Sequence, residues 1–313
     1  MADEIIRTLS VDGLRYGYRV LRQPSPHTEP VIILGGALQG MYGWPQMDDH
    51  LGPLASVVTA DLPGMGDADL LPPGAGDDVL HAAVTGIIDD LNVERANLFG
   101  FSYGTSIAFG CAQQHPGRIA RLMLGGVPAH ITDEQRDRWG RAVDRLETGD
   151  LEGLAGLAAG VLMCQDPERK VHRGELARRY VRRSFLYALT NSPHAALSLH
   201  RALGHRPDFS GGLSGVPALV FAGEHDTVTS PERQRAFAAT IEGSRFVTIG
   251  ESDHWVVLER PDDVADLAAR FFTDRPLEPA PGLGPVRTTH PAALPGQSRT
   301  SPAPAGRDFA DTP

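Results

Sequence analysis

The chain has 313 residues, 41% hydrophobic and 22% charged, and carries a formal net charge of −10 at pH 7. That composition is ordinary for a folded globular protein, and the acidic excess excludes broad attraction to nucleic acid or anionic membrane. No apolar run is long enough for a membrane span, MADEIIRTLS has acids where a signal peptide carries basic residues, and Cys111 and Cys164 stand in no metal-ligand spacing.

The first stretch, EIIRTLSVDGLRYGYRVL, alternates on both sides of Asp12-Gly13, a pair suited to a two-residue turn, and so predicts an antiparallel hairpin. Short, mostly apolar runs follow at 31–34 (VIIL), 56–60 (SVVTA), 96–99 (ANLF), 121–124 (RLML), 218–221 (ALVF) and 246–249 (FVTI). Such runs fit strands covered on both faces, as in a parallel sheet. Helical patterns lie between many of them, at 77–92, 103–115 and 230–241. The alternation predicts an α/β fold, a doubly wound and mostly parallel sheet that opens with the hairpin.

From about 131 to 214 the alternation stops. This block has a capping-box start at Thr132-Asp-Glu-Gln135 and an amphipathic piece at 175–189, but no strand pattern. It predicts a helical lid inserted over the sheet's C-terminal edge, where open α/β sheets bind ligands. The expected organisation is a core of residues 1–130 and 215–275, a lid at 131–214, and a disordered tail at 276–313 that holds nine of the 25 prolines.

Three glycine-rich turns follow strands. In ILGGALQGMYGW, Gly35 and Gly40 have P-loop spacing, but Met41-Tyr42 stands where Lys-Ser/Thr is required, and Ala37 occupies the second glycine position of a dinucleotide fingerprint. A nucleotide cradle is therefore not expected. The loop is either a plain tight turn or one whose backbone N–H groups face a developing oxyanion, since glycine lets backbone approach a substrate. DLPGMGDAD at 61–69 is a sharp chain reversal with no chemistry assigned. The third turn, GFSYG, centres on Ser102. A G-x-S-x-G pattern alone is weak, but here an apolar strand precedes it and a helical pattern follows, the context of a nucleophile elbow. The Tyr103 N–H then sits at a helix N-terminus, aimed to donate to an oxyanion.

A serine hydroxyl needs a base to take its proton. Among the 12 histidines the best base is His254, which follows the strand FVTI within GESDHWVVL, at the sheet's C-terminal edge. The base in turn needs an acid to fix its tautomer. Asp226 follows ALVF at another C-terminal end; Glu224 is closer to that strand, and Asp253 abuts His254 and is read as a solvated loop acid. The candidate order is Ser102, Asp226, His254.

With LGGALQG and Trp44, DLPGMGDAD, GFSYG, GEHDTVTSP and DHWVVLERPDDV in this order, the chain resembles the α/β-hydrolase family over nearly all of 1–275. The resemblance implies Ser102 as nucleophile, His254 as general base, Asp226 as its orienter, and the N–H groups of Ala37 and Tyr103 as the oxyanion hole. Gly35 replaces the histidine usual in the first motif, and Asp253 the glycine usual before the histidine. Serine at the elbow argues against epoxide or haloalkane hydrolysis. A looser resemblance is to the acyltransferase and thioesterase branch that handles hydroxyacyl chains.

The lid holds a basic cluster: Arg169, Lys170, Arg173, Arg178, Arg179, Arg182 and Arg183. The pairs 178/182 and 179/183 are spaced i,i+4, which predicts one shared face, with Leu176, Tyr180 and Leu186 turned inward. That face is either solvated or a docking site for phosphate or an acidic partner, such as an acyl carrier protein or a coenzyme A thioester. The expectation is a cytoplasmic serine hydrolase acting on a small-molecule acyl substrate, an ester or thioester, through an acyl-enzyme. Neither metal nor cofactor is expected. The alternatives are an acyltransferase passing the acyl group to an alcohol, and a non-hydrolytic binding protein or cyclase on the same fold.

Overall fold

Asp12 and Gly13 both take positive φ, 48° and 79°, and close the two-residue turn that joins β1 (Asp3–Val11) to β2 (Leu14–Arg22), with Val11 opposite Leu14. The computed structural model describes residues 3–37, 39–129, 132–204, 208–277 and 282–289. After the hairpin come β3 (Val31–Leu34), α1 (Pro45–Leu51), β4 (Val57–Asp61), α2 (Asp77–Asp90), β5 (Ala96–Phe101), α3 (Tyr103–Gln114) and β6 (Ile119–Gly125). Four helices follow: α4 (Asp133–Glu147), α5 (Leu151–Val161), α6 (Gly174–Asn191) and α7 (Ala195–Gly204). The chain then returns to the sheet with β7 (Ala218–Gly223), α8 (Pro231–Ala238), β8 (Arg245–Ile249), α9 (Val256–Glu259), α10 (Pro261–Phe272) and β9 (Arg287–Thr288).

The strand order is β1-β2-β4-β3-β5-β6-β7-β8-β9. Pairing is parallel from β4 through β8, and antiparallel at β1/β2, β2/β4 and β8/β9. Both faces are covered, which is why the strands read as unbroken apolar runs. Ile32, Leu98, Leu122 and Val220 face one apolar layer with α2 and α3, while Ile33, Phe99, Met123 and Phe221 face the other with α1 and α10.

Between β6 and β7 the described residues form α4–α7 and a single bridge, Leu213 to Ile241. Thr132 caps α4: its Oγ1 accepts the Gln135 N–H at 3.1 Å, and its own N–H donates to Gln135 Oε1 at 3.0 Å. On α6 the inward stripe is Ala177, Val181, Phe185 and Ala188. Leu176 and Tyr180, expected inward, are 56% and 47% exposed. One helical position is a rotation of 100°, enough to carry each of them off the stripe.

The expected disorder from 276 does not hold at 277 or 282–289. Leu277 is buried, Leu283 and Val286 pack on the layer that holds Val247 and Ile249, and β9 pairs with Arg245 and Phe246. Three apolar side chains and a two-residue edge strand suffice to hold this Pro-rich stretch, which periodicity cannot reveal. The remaining stretches of the predicted tail, 278–281 and 290–313, lie outside the described residues.

Candidate active site

The elbow is built from close packing. Ser102 joins β5 to α3 at φ 48°, ψ −114°, a backbone conformation that a side chain tolerates only when its surroundings enforce it. The enforcement is visible at Gly104, where any Cβ would overlap the Leu34 carbonyl, and at Gly100, where it would stand 2.8 Å from the Gly104 oxygen. The Ser102 N–H donates to Gly125 O at 2.8 Å, and the Thr105 N–H returns to Ser102 O at 3.0 Å.

Three predicted residues meet here. Ser102 Oγ lies 3.0 Å from His254 Nε2, and His254 Nδ1 lies 3.1 Å from Asp226 Oδ2. Asp226 is fixed by its own turn: Oδ1 accepts the Val228 and Thr229 N–H groups at 2.9 and 2.7 Å, and Oδ2 accepts the Thr229 hydroxyl at 2.7 Å. Gln234 holds that turn, donating to Thr229 O at 2.7 Å while its Oε1 accepts the Val127 N–H. Burial alone lowers the His254 pKa, but the charge and hydrogen bond of Asp226, with Asp253 and Glu259 beyond, raise it above the ordinary histidine value. With Nδ1–H donated to Asp226, Nε2 presents its lone pair to the Ser102 hydroxyl.

The other candidate acids are placed differently. Glu224 turns back to accept the Glu251 N–H at 2.9 Å. Asp253 is not the solvated loop acid expected: it is 1% exposed, and its Oδ2 accepts the Cys164 N–H from the segment after α5.

The glycine loop does approach the serine, since a Cβ on Gly36 would stand 3.3 Å from Ser102 Cβ. Gln39 stabilises it, accepting the Gly36 N–H at 2.8 Å through Oε1. Ala37 and Tyr103, the latter next to Ser102 in the chain, line a cavity of about 1340 Å3. The loop after β4 supplies Met65 and Leu71 to that wall, α6 supplies Tyr180, Arg183 and Tyr187, and α7 supplies Leu197 and Arg201. A smaller depression of about 720 Å3 opens at the opposite edge, where β5 and β6 begin.

The arginines do not share one face. Arg178 donates to Cys164 O at 3.0 Å and to Gln165 Oε1 at 3.3 Å, and Arg182 pairs with Glu152 of α5. Arg179 is exposed, and Arg183 is on the cavity wall. Among the described residues no group of three or more His, Cys, Asp or Glu side chains could hold a metal ion, and no helix is long and apolar enough to cross a membrane.

Sequence reasoning missed Thr229, Gln234 and Gln39. Thr229 carried a readable signal, because an aspartate followed by a hydroxyl residue at i+3 suits an Asx turn. The two glutamines carried none.

A serine at a strand-to-helix elbow on the C-terminal edge of a doubly wound sheet, facing a histidine and an acid from later loops, defines an α/β hydrolase fold. The chain belongs to that family: the family model described as alpha/beta hydrolase fold matches residues 29–261. It is 23% identical over 257 residues to a 2-hydroxy-6-oxononadienedioate/2-hydroxy-6-oxononatrienedioate hydrolase of Pseudomonas putida, covering 78% of this chain and 88% of that one. It is 25% identical over 268 residues to a 2-hydroxymuconate semialdehyde hydrolase of a Pseudomonas strain, covering 78% and 87%. Among solved structures, an enol-lactonase from Burkholderia xenovorans superposes with a TM-score of 0.71 at 23% identity, covering 85% of this chain and all of that one.

Proposed function

We propose that the protein is a serine hydrolase that cleaves a carboxylic ester or acyl thioester through an acyl-enzyme. The observation that carries this reading is the continuous contact from Ser102 Oγ through His254 to Asp226, at 3.0 and 3.1 Å. His254 Nε2 takes the hydroxyl proton as Ser102 Oγ attacks the carbonyl carbon, and Asp226 holds the imidazolium that forms. The N–H groups of Ala37 and Tyr103 receive the oxyanion, the latter at the N-terminus of α3. Collapse expels the leaving group, which takes the proton from His254. Water then attacks the acyl-enzyme with His254 again as base, releasing the acid and Ser102. An alcohol in place of water gives acyl transfer by the same steps.

A second reading is favoured by the relatives' names. Those compounds are conjugated oxo acids without an ester, so their hydrolysis breaks a carbon–carbon bond beside the carbonyl. The carrier-bound thioester has narrower support, because two of the four docking arginines, Arg178 and Arg182, are engaged within the inserted helices.

The test is stoichiometric labelling of Ser102 by a fluorophosphonate, beside turnover of p-nitrophenyl esters, acyl thioesters and a 2-hydroxy-6-oxo-dienoate. Labelling and turnover are expected to vanish in Ser102→Ala. An inert Ser102 in the wild type would replace this reading with a binding protein or cyclase. Turnover of the dienoate alone would select the carbon–carbon reading.

A further inference from the structure

The histidine loop is fastened to the inserted helices at two points. Asp253 Oδ2 accepts the Cys164 N–H, and Glu251 O accepts the His172 N–H at 2.7 Å. Lys170 adds an ion pair to Glu251 at 2.6 Å, and Arg260 holds the other oxygen of that carboxylate at 2.7 Å. Both fastenings run between the same partners, the segment joining α5 to α6 and the segment carrying His254.

Asp253 differs from Glu251 in being buried and in standing next to the imidazole. Its N–H donates to Glu259 Oε2 at 2.6 Å, and the carbonyls of Ser252 and Asp253 pack so closely on Gly223 that a Cβ there would overlap them. The Ser252 carbonyl also accepts the His225 N–H, one residue before Asp226, at 2.8 Å. The loop of the base is thereby locked to the loop of its acid, and Asp253 extends the lock to the inserted segment.

We infer that Asp253 is a positioning residue for His254, tying the histidine loop to the inserted helices through Cys164 and placing a second negative charge beside the imidazole. The inference rests on His254 being the base of the proposed reaction. The ionisable groups around that ring are Asp226 from the loop after β7, Asp253 beside it in the chain, and Glu259 at the end of α9; Phe101 and Trp255 pack near it, and the hydroxyls of Ser102 and Thr229 face its two nitrogens. Three buried carboxyls this close do not all ionise. Burial foremost pushes Glu259 up to about 8, so it is the member that stays neutral at pH 7; burial also raises Asp253, against the Cys164 N–H that it accepts.

Two substitutions separate the tie from the charge. Asp253→Asn keeps an oxygen for the Cys164 N–H and removes the charge, whereas Asp253→Ala removes both. The readout is the pH dependence of the second-order rate constant for fluorophosphonate labelling of Ser102, with p-nitrophenyl butyrate kinetics beside it. The acid limb is expected to move to lower pH in both variants, because an imidazole with less negative charge around it protonates less readily. Only Asp253→Ala should also lose about tenfold or more from the high-pH plateau, since a base displaced by a fraction of an ångström transfers protons poorly. Its segment 162–173 should exchange amide hydrogens faster, with the p-nitrophenyl butyrate KM altered.

An acid limb in Asp253→Asn superimposable on wild type would overturn the inference, and that variant decides the matter if Asp253→Ala does not fold. Ser102→Ala and His254→Ala run in the same assay keep the two readings apart. If wild-type labelling needs both residues, a neutral Asp253→Asn sinks the positioning role alone. If wild-type labelling does not need His254, the proposed mechanism falls and this inference with it.

Discussion

Glu259 is fully buried at the end of α9, with Oε2 accepting the Asp253 N–H and Oε1 without a partner among the described residues. Its pKa rises from 4.5 to about 8, by burial first and then by the charge of Asp253 working against that hydrogen bond. Below pH 4.5 the folded and unfolded chains both hold the proton, and Glu259 adds no pH dependence. Between pH 4.5 and about 8 only the folded chain holds it, so stability falls as pH rises; above about 8 the difference is constant. At 1.36 kcal/mol per unit, the cost at pH 7 is about 3 kcal/mol, of which about 2–3 kcal/mol accrues between pH 5 and pH 7. Glu259→Gln keeps the acceptor for Asp253 and removes the titration. The second amide hydrogen adds a burial cost that does not vary with pH. Urea unfolding of both proteins from pH 5 to pH 8 is the assay, and the variant is expected to gain on wild type steadily as pH rises. A stability difference that stays flat over that interval would refute the reasoning, because it would mean that Glu259 is ionised in the folded chain.

Thr229→Val preserves shape but removes the hydroxyl donor to Asp226. A hydrogen bond to a charged group contributes about 1.5–3 kcal/mol, so fluorophosphonate labelling of Ser102 is expected to slow by roughly tenfold or more. An unchanged rate would show that the two backbone donors orient the carboxylate unaided. Gly104→Ala drives a methyl group into the Leu34 carbonyl and is expected to cost about 3 kcal/mol or more in urea unfolding. A cost under about 1 kcal/mol would mean that the elbow has room to relax.

The parts of this fold that are legible in the chain are those decided by neighbours in sequence. Asp12-Gly13 dictates a hairpin turn because both residues tolerate positive φ, and VIIL and ANLF read as strands because both faces need apolar cover. Ser102 is readable for the same reason: a strand, a small-residue turn and a helix stand in sequence, and strain at the turn follows from joining them through a single residue. His254 and Asp226 are legible as positions at C-terminal strand ends, though not as distances. The α6 faces fail at the next level of detail. A spacing of i,i+4 aligns Arg178 with Arg182, but which stripe turns inward depends on α5, and that packing is not written in α6 alone.

Asp253 shows the limit most sharply. Next to a histidine in a turn, an aspartate looks like a surface residue, because burying a carboxylate without a partner costs several kcal/mol. Its partner is the Cys164 N–H, 89 residues away and in a segment with no strand or helix pattern of its own. A backbone donor leaves no mark on sequence, since every residue except proline has one. The charge ring around His254 therefore could not be anticipated from composition or spacing. It follows from where the inserted helices touch the sheet, because the Cys164 N–H that Asp253 accepts comes from the segment between α5 and α6.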